Sequence, residues 1–204
     1  MNTIFLHGMG QNASAWGKTI SYLPDTVEPL CPELSDFFSP GDCTYDRLYA
    51  AFCSYCSSFS EPFNLCGLSL GAVLALHYAI DHPENVNSMV LIAPQYNMPK
   101  FLLWVQNLLF QFMPESQFQD IGLKKHDFIT LTNSMASMDL TSGLDVVRCP
   151  VLVACGDRDS ANKKAARTLA TKLAKAEFVT IPHSGHEANM EAPEALAGAI
   201  ESYI

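Results

Sequence analysis

The stretch Gly67-Leu68-Ser69-Leu70-Gly71 places a serine between two glycines in the pattern G-x-S-x-G. Residues 62–66 before it are apolar and bounded by a turn, which predicts a buried strand. Residues 72–80 after it are rich in helix formers, which predicts a buried helix. A serine on a sharp turn between strand and helix is a nucleophile elbow, in which small flanking residues let the backbone bend and expose the hydroxyl. A glycine-flanked serine in an ordinary turn is the alternative, and the strand–helix context favours the elbow.

The composition is that of a well-buried globular protein. Hydrophobic residues make up 49% of the 204 residues and charged residues 16%, which predicts one domain with a sizeable core. Twelve basic and 21 acidic residues give a net charge of −9. This charge argues against a surface that binds nucleic acid or an anionic membrane.

The cysteines predict a reduced, cytoplasmic protein. Seven are present, and no secretory signal precedes them, because Met1 leads directly into a strand-like run. The segment Cys53-Ser54-Tyr55-Cys56 has C-x-x-C spacing, but it lies in a helical pattern without a second pair at zinc-site spacing. Ordinary helix residues are therefore favoured over a redox or metal site.

The rest of the chain alternates strand and helix patterns. Strands are predicted over residues 2–6, 27–31, 86–93, 150–156 and 176–181, and helices over 14–23, 45–58, 161–174 and 193–203. Pro29 favours an edge position for the second strand. The alternation predicts an α/β fold with a doubly wound, mostly parallel sheet and helices on both faces.

Residues 94–149 do not fit this alternation. Residues 100–113 are strongly apolar but too short and too interrupted by polar side chains for a membrane span. They form either a buried core helix or a lid helix over a pocket, and a further helix over 126–138 would complete a small cap. The prediction is a single domain over residues 1–204, with 95–148 as a short helical cap insertion.

An elbow serine needs a base, and with this elbow the base follows the serine in the chain. His77 and His82 lie on the elbow helix, pointing away from its start, and His126 belongs to the predicted cap. His183 and His186 remain, both directly after the last strand. Gly185-His186 puts an imidazole on a flexible loop at the carboxyl edge of the sheet, where sites of such sheets form, which favours His186.

The acid that orients the base is expected at the end of the preceding strand. Gly156-Asp157-Arg158-Asp159 offers two carboxylates there. Asp159 is favoured, because it lies in the loop where its side chain can reach the imidazole. Asp157 is the alternative, although an aspartate after a glycine usually braces a turn.

Two backbone N–H groups are expected to stabilise the oxyanion. One belongs to Leu70, the residue after the nucleophile. The other is expected from His7-Gly8-Met9-Gly10, the glycine-containing loop after the first strand, with Met9 as the donor. The Met9 side chain would then line the acyl pocket.

Together these motifs resemble the α/β-hydrolase superfamily, in order and in spacing, over nearly the whole chain. The resemblance implies Ser69 as nucleophile, His186 as base, Asp159 as acid, and Met9 and Leu70 as oxyanion donors. Two departures are expected. The family's usual leading hairpin is missing, which shortens the sheet to about six strands, and the short cap leaves the site more open.

The leading functional hypothesis is a serine esterase or thioesterase that acts on a small-molecule substrate. Apolar residues expected near the site suggest an acyl or aromatic group; they are Met9, Leu68, Phe101 and Trp104. A lyase or carbon–carbon bond hydrolase with the same triad is one alternative, and a non-catalytic small-ligand receptor is another. No cofactor or metal is predicted, because no nucleotide, flavin or zinc motif competes and a triad needs none. The oligomeric state is not predicted.

Overall fold

The computed structural model describes residues 1–38, 41–98 and 124–204. Within them, six strands form one sheet, in the order β2-β1-β3-β4-β5-β6, and every neighbouring pair is parallel. The strands are β1 (Asn2–Leu6), β2 (Glu28–Leu30), β3 (Phe63–Leu68), β4 (Val86–Ile92), β5 (Val151–Gly156) and β6 (Ala176–Ile181). This confirms the predicted α/β fold and the sheet of six strands.

The helices lie close to where the hydrophobic periodicity predicts them. The α-helices of the described residues are α1 (Gly17–Ile20), α2 (Tyr45–Cys56), α3 (Leu70–Asp81), α4 (Lys125–Ser134), α5 (Lys163–Lys172), α6 (Ala188–Glu191) and α7 (Pro193–Ile200). Short 3₁₀-helices lie at Ala13–Trp16, Leu34–Phe37, Pro83–Asn85 and Thr141–Val146. The predicted helix over 14–23 is one such 3₁₀-helix followed by α1, and it begins at Asn12, whose side chain accepts the Ser14 N–H.

Apolar side chains fill both faces of the sheet. Successive side chains of a strand point to opposite faces, so Ile4 and Leu6 join one apolar cluster while Phe5 joins the other. Every residue of β3 and of β5 is buried, as expected for inner strands of a parallel sheet covered by helices on both sides. The doubly wound arrangement is therefore built into the pattern of the strands.

The strand β2 is an edge strand, as Pro29 predicts. It has three residues, its burial is low, and it pairs with β1, where Pro29 lies opposite Thr3. A proline lacks an N–H for a second neighbour, so the edge is where it costs least.

The cysteines lie in the structure as ordinary packing residues. All seven are free thiols. Cys53 and Cys56 lie one turn apart on α2, and burial raises the pKa of the Cys56 thiol to about 12. A thiol with this pKa stays protonated at neutral pH, which does not favour metal binding or disulfide exchange.

The described part of the predicted cap is α4 and the residues after it. The Ser134 hydroxyl at the end of α4 accepts the Tyr45 N–H at the start of α2 at 2.8 Å, which ties α4 to the core. The predicted apolar helix over 100–113 lies outside the described residues, so the cap over 95–148 stays a prediction. No helix in the described ranges combines the length and the apolar run that crossing a bilayer requires.

Candidate active site

Ser69 lies between the end of β3 and the start of α3, in the strained backbone conformation of an elbow. Its φ is 53° and its ψ is −109°, a region that costs about 1–3 kcal/mol for a residue with a side chain. The surrounding backbone holds this conformation, because the Ser69 N–H donates to the Ile92 carbonyl at 2.9 Å and the Val73 N–H donates to the Ser69 carbonyl at 3.0 Å. The strain is local, and neighbouring strand and helix enforce it.

The two glycines of the elbow are required by close approach of backbone segments. A Cβ on Gly67 would lie 2.3 Å from the Gly71 carbonyl oxygen, and a Cβ on Gly71 would lie 2.2 Å from the Leu6 carbonyl oxygen. Neither glycine has a positive φ. The small residues therefore let helix α3 pack directly on β1 and β3, and the residue with the unusual dihedral angles is the serine itself.

Asp159 and His186 meet at the carboxyl edge of the sheet. Asp159 follows β5 and is 6% exposed, whereas His186 lies on the loop after β6 with 43% of its side chain exposed. The His186 Nδ1 lies 2.9 Å from the Asp159 Oδ2. Burial raises the pKa of the Asp159 carboxyl, but hydrogen bonds from His186 and from Asn162 lower it by more, so the pKa lies below its ordinary value. The carboxylate is therefore charged at neutral pH and can fix the imidazole.

Asp157, unlike Asp159, binds backbone N–H groups of the loop after β6. Its Oδ2 accepts the His183 N–H at 3.0 Å and its Oδ1 accepts the Ser184 N–H at 3.1 Å. The backbone hydrogen bond from His183 lowers the pKa of this exposed carboxyl below its ordinary value. His183 is exposed and has a φ of 59°, which places it in the turn that Asp157 braces. Of the two candidate acids and two candidate bases, the structure thus brings Asp159 and His186 together.

The loop after β1 lies against the start of α3. The Gln11 N–H donates to the Gly8 carbonyl at 3.1 Å, and Gly10 at the tip of this turn has a φ of 90°. Within the described residues, no hydrogen-bond acceptor engages the N–H of Met9 or of Leu70. Two backbone N–H groups at one cavity can hold a developing negative charge.

Buried polar side chains anchor this loop at both ends. The Nε2 of buried His7 lies 2.9 Å from the Glu33 Oε1. The Gln11 side chain accepts the Gly8 N–H at 3.3 Å and forms two hydrogen bonds with the side chain of Asn189, at 3.1 and 3.2 Å. Because Asn189 lies on α6, three residues after His186, the loop after β1 that contains Met9 is tied to the loop with the histidine.

A cavity of about 380 Å³ joins the predicted catalytic groups. Ser69, Asp159 and His186 line it together with Met9 and Leu70, and the remaining lining residues are Val73, Ala93, Gln95, Met98, Thr132, Met135, Ala161 and Asn162. Most of the lining residues are apolar. Three of them, Met9, Met98 and Met135, are methionines, which adapt to irregular apolar ligands.

Of the other predicted pocket residues, Leu68 does not line the cavity. Leu68 is 1% exposed and packs in the apolar cluster of Phe5 and Trp16, away from the cavity. The reason is strand alternation, because the side chain one position before the elbow serine points to the opposite face of the sheet. Phe101 and Trp104 lie outside the described residues.

Sequence reasoning misses two polar residues of the site, Gln95 and Asn162. Asn162 donates to both carboxylate oxygens of Asp159 at 3.0 Å, and Gln95 donates to the Asn162 side-chain oxygen at 2.7 Å. The D-x-x-N spacing is a weak signal for Asn162, and no sequence pattern connects Gln95 with a residue 67 positions away. No cluster of three or more His, Cys, Asp or Glu suited to a metal ion occurs in the described part of the chain.

Comparison with known proteins agrees with this geometry. The family model described as "Alpha/beta hydrolase family" matches residues 3–199, a span that contains the elbow, Asp159 and His186. The chain belongs to the alpha/beta hydrolase family. Members of this family share the strand–serine–helix elbow and the acid and histidine that follow it in the chain.

Individual alpha/beta hydrolases resemble the chain over almost its full length. A pimeloyl-[acyl-carrier protein] methyl ester esterase of Nitrosomonas europaea is 21% identical, covering 98% of this chain and 94% of the relative. The human monoacylglycerol lipase ABHD6 is 20% identical over 98% of this chain and 74% of its own length. Among solved structures, a thermophilic esterase from Thermogutta terrifontis superposes with a TM-score of 0.79 at 21% identity, covering 99% of this chain and 88% of that one.

Proposed function

We propose that this alpha/beta hydrolase cleaves carboxylic ester or thioester bonds of a small-molecule substrate with an apolar acyl group. Ser69 is the nucleophile, His186 the base, Asp159 the acid that orients it, and Met9 and Leu70 the oxyanion donors. The observation that carries the proposal is the hydrogen bond between Asp159 and His186 at the cavity that Ser69 also lines.

The mechanism is acyl transfer through the serine. The Ser69 Oγ attacks the acyl carbon while the His186 Nε2 takes the hydroxyl proton, and the N–H groups of Leu70 and Met9 hold the oxyanion. The imidazolium gives its proton to the departing alcohol or thiol, which leaves an acyl-enzyme. Water then attacks this ester, with His186 again as base, and the acid departs. Asp159 keeps the Nδ1–H pointed at itself throughout, so that Nε2 faces the serine.

The relatives and the cavity support an ester with an apolar acyl part. Two relatives that match nearly the whole chain are named as an ester esterase and a monoacylglycerol lipase, and both names describe hydrolysis of a carboxylic ester. The side chains of Met9, Met98 and Met135 give the cavity an apolar wall. An acyl chain loses water there without leaving a polar group unpaired.

The decisive experiment is hydrolysis of p-nitrophenyl esters of increasing acyl length by the wild type and by Ser69→Ala. The wild type is expected to turn over, and Ser69→Ala to lose at least about a thousandfold in kcat. Ser54→Ala is the matched control, because its exposed hydroxyl binds the Ala50 carbonyl on α2, far from the cavity. Its kcat should equal that of the wild type.

Two results would overturn the proposal. If the wild type were as inert as Ser69→Ala on oxygen esters and on thioesters, hydrolysis of esters would be excluded, and carbon–carbon chemistry or ligand binding would be tested next. If both proteins were equally active, the activity would not come from the elbow. The acyl length that gives the highest kcat/KM indicates the size of the apolar part of the cavity.

A further inference from the structure

The carboxylate of Asp159 receives its hydrogen bonds from two residues. His186 Nδ1 lies 2.9 Å from Oδ2. Asn162 supplies the other donors in the described structure, with its backbone N–H 3.2 Å from Oδ1 and its side-chain Nδ2 3.0 Å from each carboxylate oxygen. Asn162 is therefore the residue that contacts Oδ1, and it shares Oδ2 with His186, whose Nδ1 lies 3.1 Å from the Asn162 Nδ2.

Gln95 holds the oxygen end of the Asn162 amide. The Gln95 Nε2 donates to the Asn162 Oδ1 at 2.7 Å, which turns the Asn162 NH₂ group toward Asp159. In the flipped orientation, the Asn162 oxygen would face the carboxylate and its NH₂ group would face the NH₂ group of Gln95. Both contacts would be repulsive, so the network permits one orientation.

The helix that begins at Asn162 does not use its side chain. Asn162 is the N-cap of α5, a position where asparagine commonly accepts an N–H of the first turn. Here the side chain makes no capping hydrogen bond. A side chain that gives up this bond and turns to Asp159 contributes to the site more than to the helix.

The remaining titratable and charged groups near Asp159 do not replace these donors. The Cys155 thiol on β5 donates to the Asp159 backbone carbonyl at 3.8 Å, and the Lys163 ammonium on α5 donates to the Asp157 carbonyl. Burial and the interaction with the Asp159 carboxylate raise the pKa of the Cys155 thiol to about 12, and a thiol is a weaker donor than the Asn162 amide. Asp159 is 6% exposed with Asn162 in place, so the Asn162 amide covers a carboxylate that lines the cavity.

We propose that Asn162 is a positioning residue for the Asp159–His186 pair and that Gln95 acts through it by orienting its amide. Asn162 holds the carboxylate in the rotamer that directs Oδ2 at Nδ1, and so aims the imidazole at Ser69. Both residues also line the cavity, so the pair connects the substrate-binding wall with the acid. This inference rests on the proposed function.

The kinetic test compares Asn162→Ala, Gln95→Ala and the double variant with the wild type on the best p-nitrophenyl ester. Asn162→Ala is expected to lower kcat about 10- to 100-fold with a smaller change in KM, because the imidazole is misaimed. Gln95→Ala should lower kcat less, and the double variant should match Asn162→Ala, because Gln95 acts through Asn162. Asn85→Ala, whose side chain binds the Tyr78 hydroxyl at the opposite edge of the sheet, is the control and should leave kcat unchanged.

An NMR titration separates positioning from a structural role. Removing the Asn162 donors takes away hydrogen bonds that favour the charged carboxylate and so raises the pKa of the Asp159 carboxyl, while the melting temperature stays close to that of the wild type. This rise is expected in a ¹³C titration of the Asp159 carboxyl in a Ser69→Ala background, which needs no activity. An Asn162→Ala protein with wild-type kcat and wild-type Asp159 titration would overturn the inference, and additive losses in the double variant would overturn the role of Gln95. An inert wild type whose Asp159 titration still depends on Asn162 would refute the proposed ester hydrolysis while retaining Asn162 as the residue that positions Asp159.

Discussion

The nucleophile side and the acid–base side of the site are built by different means. Main-chain packing positions Ser69. Its φ is in a strained region, and the two flanking glycines allow neighbouring main chain to approach too closely for a Cβ to fit. Asp159 and His186 lie 27 positions apart and meet through side-chain hydrogen bonds. The elbow is therefore part of the main-chain packing of the fold. The loops that carry Asp159 and His186 also meet through main chain, at Gly156 and Gly185, but the contact between the acid and the base is made by their side chains. Damage to the first should unfold the protein, and damage to the second should abolish only the chemistry.

Gly71→Ala tests whether the fold depends on the main-chain packing at the elbow, and we expect it to have the largest effect. The new Cβ would lie 2.2 Å from the Leu6 carbonyl oxygen, so α3 and β1 must separate. We expect a loss of more than about 4 kcal/mol in the free energy of unfolding, in the range of severe core substitutions, together with all activity. Urea unfolding followed by circular dichroism measures it.

Gly198→Ala is the matched control for that substitution. Gly198 lies on the exposed side of α7, and a Cβ there meets no atom within 4 Å. Alanine should stabilise the helix by about 0.5–1 kcal/mol. If Gly71→Ala were as stable as Gly198→Ala, the close main-chain packing at the elbow would not be required for the fold.

The acid–base side is tested by exchanging each carboxylate for its isosteric amide. Asp159→Asn should lower kcat by about 10³–10⁴-fold, because the amide no longer selects the imidazole tautomer with its proton on Nδ1. The fold should survive, as circular dichroism would show. Asp157→Asn should keep kcat within a few fold of the wild type, since Asp157 contacts backbone N–H groups and not His186. A reversed order of the two losses would make Asp157 the acid.

A buried pair of amide side chains, Gln11 and Asn189, joins the loop after β1 to the residues that follow His186. Substituting them should have an intermediate effect on stability and on kcat. Gln11 belongs to the loop after β1 and Asn189 follows the loop with His186, and each side chain donates to the other. Truncating either to alanine leaves buried polar groups unpaired, which should cost about 1–3 kcal/mol of stability and part of kcat. The double variant should lose less than the sum, with a coupling of about 0.5–3 kcal/mol. Strict additivity in the stability cycle would show that the two loops are not coupled.

The same division decides what the sequence could predict. The elbow, its strand and its helix are contiguous, so composition and periodicity predict Phe63–Leu68 and Leu70–Asp81 to within a residue or two. The parallel sheet follows from the alternation of strand and helix patterns, its six strands follow from the family resemblance without the leading hairpin, and the edge position of β2 follows from Pro29. Helix ends are less accurate, as in α5, because capping depends on tertiary contacts that a pattern does not contain.

The acid–base side could be predicted only as a set of candidates. Position in the chain favours Asp159 and His186, but the contact that distinguishes Asp159 from Asp157 is a property of the folded loops. Asn162 lies inside the helix predicted over 161–174, and its contact with Asp159 is a property of the folded loop. The catalytic assignments themselves stay predictions until activity is measured. Leu68 shows the opposite error, because closeness in sequence to Ser69 suggests the pocket while strand alternation turns the side chain away.

The smallest expected effect concerns the pH dependence of the turn that Asp157 braces. Its pKa is lowered in the folded protein, chiefly by the His183 N–H, so the charged carboxylate stabilises the fold above the ordinary aspartate pKa of about 4 and loses this contribution as the pH falls through the folded-state value. The difference in urea midpoint between wild type and Asp157→Asn should be constant between about pH 5 and 8 and shrink below about pH 4. A difference that grew on acidification would mean that the carboxyl is held in its neutral form, and the brace would then have to be a hydrogen-bond donor rather than an acceptor of the two backbone N–H groups.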